Sequence, residues 1–92
     1  MRLVAVIRAL RPDKKYLAIF DDGLKVHFGA RGYIDYTMGA TDEQRTAYRN
    51  RHKSDLLTGD ARRPGFLSYY ILWGDHRDIR KNISDYKKMF SL

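Results

Sequence analysis

The sequence predicts an α+β domain, a three-stranded antiparallel β-meander followed by three α-helices. Three observations carry this. Short apolar runs separated by turn residues fill the first third of the chain. Asp22-Gly23 marks a tight hairpin between two of them. Further on, apolar residues recur at the three- and four-residue steps of a helix, most clearly at Ile79, Ile83, Tyr86 and Phe90.

Leu3 to Leu10 is rich in Val, Ile and Ala and ends at Arg11-Pro12-Asp13, a turn signal, so it reads as the first strand. Tyr16 to Asp21 reads as the second and Leu24 to Gly29 as the third. Both central positions of a type I′ turn need positive φ, and Asp-Gly supplies it at low cost. With that turn Phe20 opposes Lys25, Ile19 opposes Val26, Ala18 opposes His27 and Leu17 opposes Phe28. Leu17, Ile19, Val26 and Phe28 then share an apolar face, and Tyr16, Phe20, Lys25 and His27 share the other.

Residues 30 to 40 show no sustained period and read as a loop. Thr41 with Gln44 three positions later is a capping box, which starts a helix at Asp42 running to about Ser54. Gln44, Tyr48, His52 and Leu56 give this helix only a narrow contact stripe, so it is expected at the periphery. A second loop spans Leu57 to Arg63. Pro64 suits the first turn of the next helix, where its missing amide hydrogen is not needed. Phe66 to Trp73 is apolar nearly all round and is expected to be the most buried element, ending at Gly74. The last helix runs from an Asp78 N-cap to Phe90, and its apolar stripe joins Phe66 to Trp73 in covering the apolar sheet face.

Length allows one domain, residues 1–92, with no room for a second core. A hydrophobic fraction of 43% with 13% aromatic residues provides enough apolar surface to offset the ordering entropy of folding. The chain has no cysteine, which excludes disulfides, thiolate metal sites and a cysteine nucleophile. No apolar run approaches the ~20 residues of a membrane span, and Arg8 interrupts the N-terminal apolar stretch, so neither a membrane partner nor a secretory signal is expected. Eighteen Lys and Arg against 11 Asp and Glu give a net charge of +7 and a pI of about 9.9. Such a balance suits an anionic partner, although solubility alone can also account for it.

Several constellations could serve that partner. The face bearing Tyr16, Phe20, Lys25 and His27 could stack bases and hold phosphates, or could simply be covered by the following loop. Tyr33 and Tyr36 flank Asp35, with Arg31 close by; loop anchoring is the ordinary explanation for such phenols. Arg45, Arg49 and His52 lie at four- and three-residue steps on one side of a helix and could converge on phosphate. Tyr48, Arg51 and Lys53 extend that surface, and a solvated helix face is the alternative. His27, His52 and His76 with Asp35 match no compact metal motif, so no metal and no cofactor are expected.

Two resemblances bear on function. A hairpin followed by an Arg-bearing helix resembles the order of the GIY-YIG endonuclease core, with Tyr16 in the first strand, His27-Phe28-Gly29 at the Tyr-Ile-Gly position and Arg45 or Arg49 on the helix. The resemblance is confined to residues 16 to 53 and lacks the downstream metal-binding glutamate, since the single glutamate, Glu43, precedes the arginines. The second is carried by Lys25-Val26-His27-Phe28-Gly29, Tyr36-Thr37, Arg51-His52-Lys53, Gly65-Phe66-Leu67-Ser68, Ile71-Leu72-Trp73 and Asp85-Tyr86-Lys87-Lys88 with Phe90. In that order they resemble a family of small uncharacterised proteins of large DNA viruses of algae and protists. That resemblance implies a viral setting, inside the host cell or in the virion, and no particular activity.

The sequence therefore leads to a non-catalytic module that binds nucleic acid or another polyphosphate. Its expected contact residues are Lys25, His27, Arg31, Tyr33, Tyr36, Arg45, Tyr48, Arg49, Arg51, His52 and Lys53. The alternative is a structural or assembly protein whose basic surface meets an acidic protein or a second copy of itself. Catalysis is not expected, because a metal-dependent nuclease needs carboxylates to hold its cation and most aspartates here sit at turns or caps. Asp35 is the one carboxylate without such a role, in a loop expected to face His52.

Overall fold

A computed structural model describes residues 1–92. Strands β1 (Leu3–Arg8), β2 (Lys14–Phe20) and β3 (Lys25–Ala30) form one antiparallel sheet in the order β1-β2-β3. Helix α1 (Asp42–His52) follows, then α2 (Pro64–Leu67), which widens into a π-helical segment over Ser68–Leu72, then α3 (Ile79–Phe90). The meander and the three helices are those the sequence predicts.

The hairpin register differs by one residue. Gly23 has φ 91° whereas Asp22 has no positive φ, so the turn cannot be type I′. Instead the Gly23 N–H donates to the Phe20 carbonyl (3.1 Å) and the Phe20 N–H to the Leu24 carbonyl (2.9 Å), a three-residue loop with glycine at the left-handed position. Asp22 accepts from the Leu24 N–H and from Arg62 (2.8 Å), and the Arg62 hydrogen bond holds its carboxyl below the ordinary carboxylate range. The longer loop pairs Ile19 with Lys25, Ala18 with Val26, Leu17 with His27 and Tyr16 with Phe28. One step of register reverses every side chain of a strand. Ala18 and Phe20 therefore join Phe28 in the helix-facing core, with Tyr16 and Val26 packed against it. Leu17 and Ile19 fall on the far face with Lys25 and His27, so the expected grouping of Tyr16 and Phe20 with Lys25 and His27 does not form. Both faces of β2 are apolar, and alternation alone does not choose between them.

Helix α1 starts as predicted. Gln44 N–H donates to Thr41 Oγ1 (3.1 Å) and Thr41 N–H donates back to Gln44 Oε1 (2.8 Å). None of its residues is fully buried. Beyond it the chain continues in a 3₁₀ turn over Lys53–Thr58. Pro64 opens α2, and the Trp73 N–H bonds to the Ser68 carbonyl five residues back (3.0 Å), the mark of a π turn.

Phe66, Leu67, Tyr69, Ile71, Leu72 and Trp73 are all buried, which makes this the most buried helical stretch. Tyr86 is fully buried from α3, with Ile79, Ile83 and Phe90 packed against the same core. Gly74 is required by space, since a Cβ there would collide with the Tyr70 carbonyl and the Asn82 side chain. Asn82 is itself buried and donates to the carbonyls of Ile71 (2.8 Å) and His76 (2.7 Å) while accepting from the His76 N–H (2.9 Å). The Leu3 N–H donates to the Leu92 carbonyl (2.9 Å), tying the end of α3 to β1.

Trp73 is 8% exposed and belongs to the core cluster. Trp73→Ala is expected to cost about 3–5 kcal/mol, measured by urea unfolding; a loss below about 1 kcal/mol would contradict this packing.

Candidate functional site

A cleft of about 710 Å³ opens between the β2–β3 end of the sheet, the loop after β3, helix α1 and the start of α2. Its sheet wall depends on Gly29, which has φ 81° and lies so close to Leu72 and Lys15 that a Cβ would crowd both. Phe28, Leu72 and Trp73 give it an apolar floor, and Lys14, Arg51 and His52 line it with polar groups.

The loop from Arg31 to Ala40 is held by Asp35, which is 1% exposed. Lys15 Nζ donates to its carboxylate at 2.7 Å, and the Thr37 N–H and hydroxyl donate to the other oxygen at 2.9 and 2.5 Å. The Asp35 carbonyl accepts from the Met38 and Ala40 N–H groups (3.0 and 3.1 Å). The carboxylate that lacked an assignment in the sequence is thus the anchor of this loop. Its effect is to hold Tyr33 and Ile34 outward at the cleft mouth, 71% and 48% exposed.

Tyr36 follows in a 3₁₀ turn and leaves the cleft. Its hydroxyl donates to Asp42 (2.7 Å), and that bond, more than burial, raises the phenol above its ordinary pKa. The guanidinium groups of Arg77 and Arg45 lie over its ring, 4.1 and 5.4 Å from the centroid.

Helix α1 presents two faces. On one, Arg45 donates through Nε to the Gly74 carbonyl (2.8 Å) and pairs with Asp75 (2.8 Å). Arg49 donates to the carbonyls of Trp73 (2.9 Å) and Tyr69 (3.3 Å) and lies 4.0 Å over the Tyr69 ring. On the other, Gln44, Ala47, Tyr48, Arg51 and His52 line the cleft. The Arg45-Arg49-His52 line is therefore divided between the end of α2 and the cleft. Tyr48 stacks on Trp73 (4.3 Å, 8°) and on His52 (4.1 Å, 23°). Two rings at those separations cannot share one face, so both faces of Tyr48 are covered. Burial raises its phenol. His52 Nδ1 lies 3.1 Å from the Asp55 carboxylate, which orients the imidazole.

Of the residues singled out in the sequence, the cleft gathers Tyr33, Tyr48, Arg51 and His52. Arg31 and Lys53 are exposed outside its lining. Lys25 and His27 lie on the far sheet face, where His27 Nε2 is buried without a hydrogen-bond partner. Sequence reasoning missed Lys14, Lys15, Gln44, Asp55 and Ser68. Only Gln44 had a visible role, as a capping residue; the others come from elements far apart in sequence. No three His, Asp or Glu side chains gather in a geometry that could hold a metal ion, and no helix is long and apolar enough to cross a membrane.

Residues 4–52 match a family of unknown function, DUF5754. The chain belongs to this family. The DUF5754 segment covers 49 of the 92 residues, counting from 4 to 52 inclusive, and contains the sheet, the Asp35 loop and α1. The α2 wall, with Pro64, Ser68, Leu72 and Trp73, lies beyond it. No curated protein and no solved structure matches the chain.

The Lys15–Asp35 pair is nearly removed from water. Truncating one partner leaves a buried charge uncompensated, so Asp35→Ala is expected to cost about 3–5 kcal/mol. The double change Lys15→Met with Asp35→Leu should recover only the part due to the unpaired ammonium, because the Thr37 N–H and hydroxyl still lose their acceptor. Urea unfolding of the wild type and both variants checks this, and a single variant as stable as the wild type would refute the anchoring role.

Proposed function

We propose that this domain is a small, basic, non-catalytic module that binds nucleic acid or another polyphosphate at the cleft and its rim. One observation carries the reading. Both aspartates on the cleft wall, Asp35 and Asp55, are already engaged by Lys15 and His52. Lys14 and Arg51 line the same cleft with no carboxylate partner. The cleft thus has cationic groups available to phosphate, and Arg31 and Lys53 add unpaired charge outside it. Arg45 and Arg49 support the cleft from behind through their bonds to the end of α2, and Tyr36 belongs to the same support. The setting proposed with this reading is the host cell or the virion, on the strength of the motif resemblance to proteins of large DNA viruses.

Phosphate binding releases condensed counterions, so affinity falls steeply as salt rises. Fluorescence anisotropy with labelled single- and double-stranded DNA and RNA is expected to show binding at low ionic strength that weakens between 50 and 200 mM salt. Replacing both Lys14 and Arg51 by Ala should reduce the slope of log affinity against log salt by about 1.4–1.8, two phosphate contacts at roughly 0.7–0.9 each. An absence of binding, or a slope indifferent to both changes, would remove the reading. Parallel incubations with Mg²⁺, Mn²⁺ or chelator should leave the nucleic acid intact; metal-dependent cleavage would point instead to a degenerate GIY-YIG-like endonuclease.

A second reading is a structural protein that assembles with itself or with an acidic partner. It is favoured by the far sheet face and the adjoining turn, where Val4, Ile7 and Leu10 are exposed and His27 carries its unpartnered nitrogen. Light scattering tests it: an oligomer that Ile7→Lys converts to monomer would support assembly, and a monomeric wild type would count against self-association.

A further inference from the structure

We infer that the cleft receives one unpaired nucleotide, its base between Tyr33 and the apolar floor and its phosphate on Lys14 and Arg51. This rests on the polyphosphate reading and specifies its ligand. Three observations lead to it.

The first is size and polarity. A groove that only tracks a phosphate backbone needs charge and no depth, whereas a cleft of about 710 Å³ lies within the range of sites that enclose a small organic group, about 300–1,000 Å³. Its floor of Phe28, Leu72 and Trp73 would be idle beneath a bare phosphate.

The second is the state of the aromatic rings. Tyr48 has both faces covered by Trp73 and His52. Tyr36 is occupied by Asp42, Arg45 and Arg77. Tyr33 stacks on no other ring and lies under no guanidinium, and it is held out at the cleft mouth by the buried Asp35 two residues on. It is the ring at this cleft that is available to stack on a base.

The third is hydrogen-bonding capacity. Gln44 lines the cleft and uses its side-chain oxygen on the Thr41 N–H, which leaves its amide hydrogens for the edge of a base. A base inside a duplex is stacked and paired and offers neither its face nor its pairing edge. The nucleotide must therefore be unpaired, either free or within a single strand.

Trp73, the single tryptophan of the chain, forms part of the floor, so its emission reports occupancy directly. The experiment titrates the intact protein at low salt with adenosine monophosphate, inorganic phosphate, a ten-nucleotide thymidine strand and a blunt duplex of mixed sequence. Anisotropy of the labelled strand is followed in parallel. Saturable changes in Trp73 emission are expected with the monophosphate and the single strand, and none with inorganic phosphate or the duplex. Comparable affinities for the first two would indicate a free nucleotide as ligand, and a much tighter strand would indicate a nucleotide within nucleic acid. Tyr33→Ala should weaken binding about 5- to 150-fold, the value of one stacked base, while Tyr33→Phe should retain it. Strand binding that leaves Trp73 emission unaltered would overturn the inference and leave the polyphosphate reading standing. Equal binding of duplex, or a response to inorganic phosphate matching that to the nucleotide, would do the same. No binding by any probe would end both.

Discussion

The carbonyl groups at the C-terminal end of α2 govern how this domain is put together. A helix leaves its last carbonyls without backbone partners, and here that end is buried between two other helices. Arg49 takes the carbonyls of Tyr69 and Trp73, Arg45 takes that of Gly74, and Asn82 takes that of Ile71. Side chains of α1 and α3 thereby satisfy what the α2 backbone cannot, and both helices are fixed in position by the same few bonds. The arrangement also orients α1. With Arg45 and Arg49 committed to α2, the neighbouring face carrying Gln44, Tyr48 and Arg51 turns toward the sheet and becomes a wall of the cleft.

The features legible in the sequence are those whose signal is local. The capping box at Thr41 and Gln44, the proline opening α2, the Asp78 cap and the apolar stripe of α3 each occupy a few adjacent positions. The hairpin register was not legible, because Leu17, Ala18, Ile19 and Phe20 are all apolar and the choice of face belongs to the turn. Asp22-Gly23 is compatible with two loop lengths, and the longer is adopted with only Gly23 at positive φ. The site was legible in part. The sequence shows that Arg45, Arg49 and His52 share a side of a helix, but not that backbone carbonyls 20 to 29 residues further on take both guanidinium groups. Asn82 and Lys15 were invisible for the same reason, since a buried polar side chain is explained only by partners brought to it in three dimensions.

Charge in this protein is divided by function. Arg45, Arg49, Arg62 and Arg77 reach carbonyls, carboxylates and ring faces of other elements and act as fasteners. Lys15 does the same for the Asp35 loop. Net charge therefore overstates the cationic surface open to a partner, while the open part includes the cleft through Lys14 and Arg51. Those two residues, Tyr33 and Phe28 of the floor belong to the family-matched segment, and the rest of the floor, Leu72 and Trp73, belongs to the segment beyond it. The cleft exists only where both parts of the chain are folded together.

The wide turn over Ser68–Leu72 sets the rotational phase of everything after it. Successive helical residues are about 100° apart, so deleting one residue here would turn everything after it back by about that angle. Trp73 would swing away from Tyr48, and Gly74 would no longer stand where Asn82 presses against it. The five residues act as an angular spacer whose length cannot drift, in contrast to the exposed residues 57–60 in the connection before α2. A residue added at that loop would lengthen a connection, whereas one added at the spacer would reset a clock.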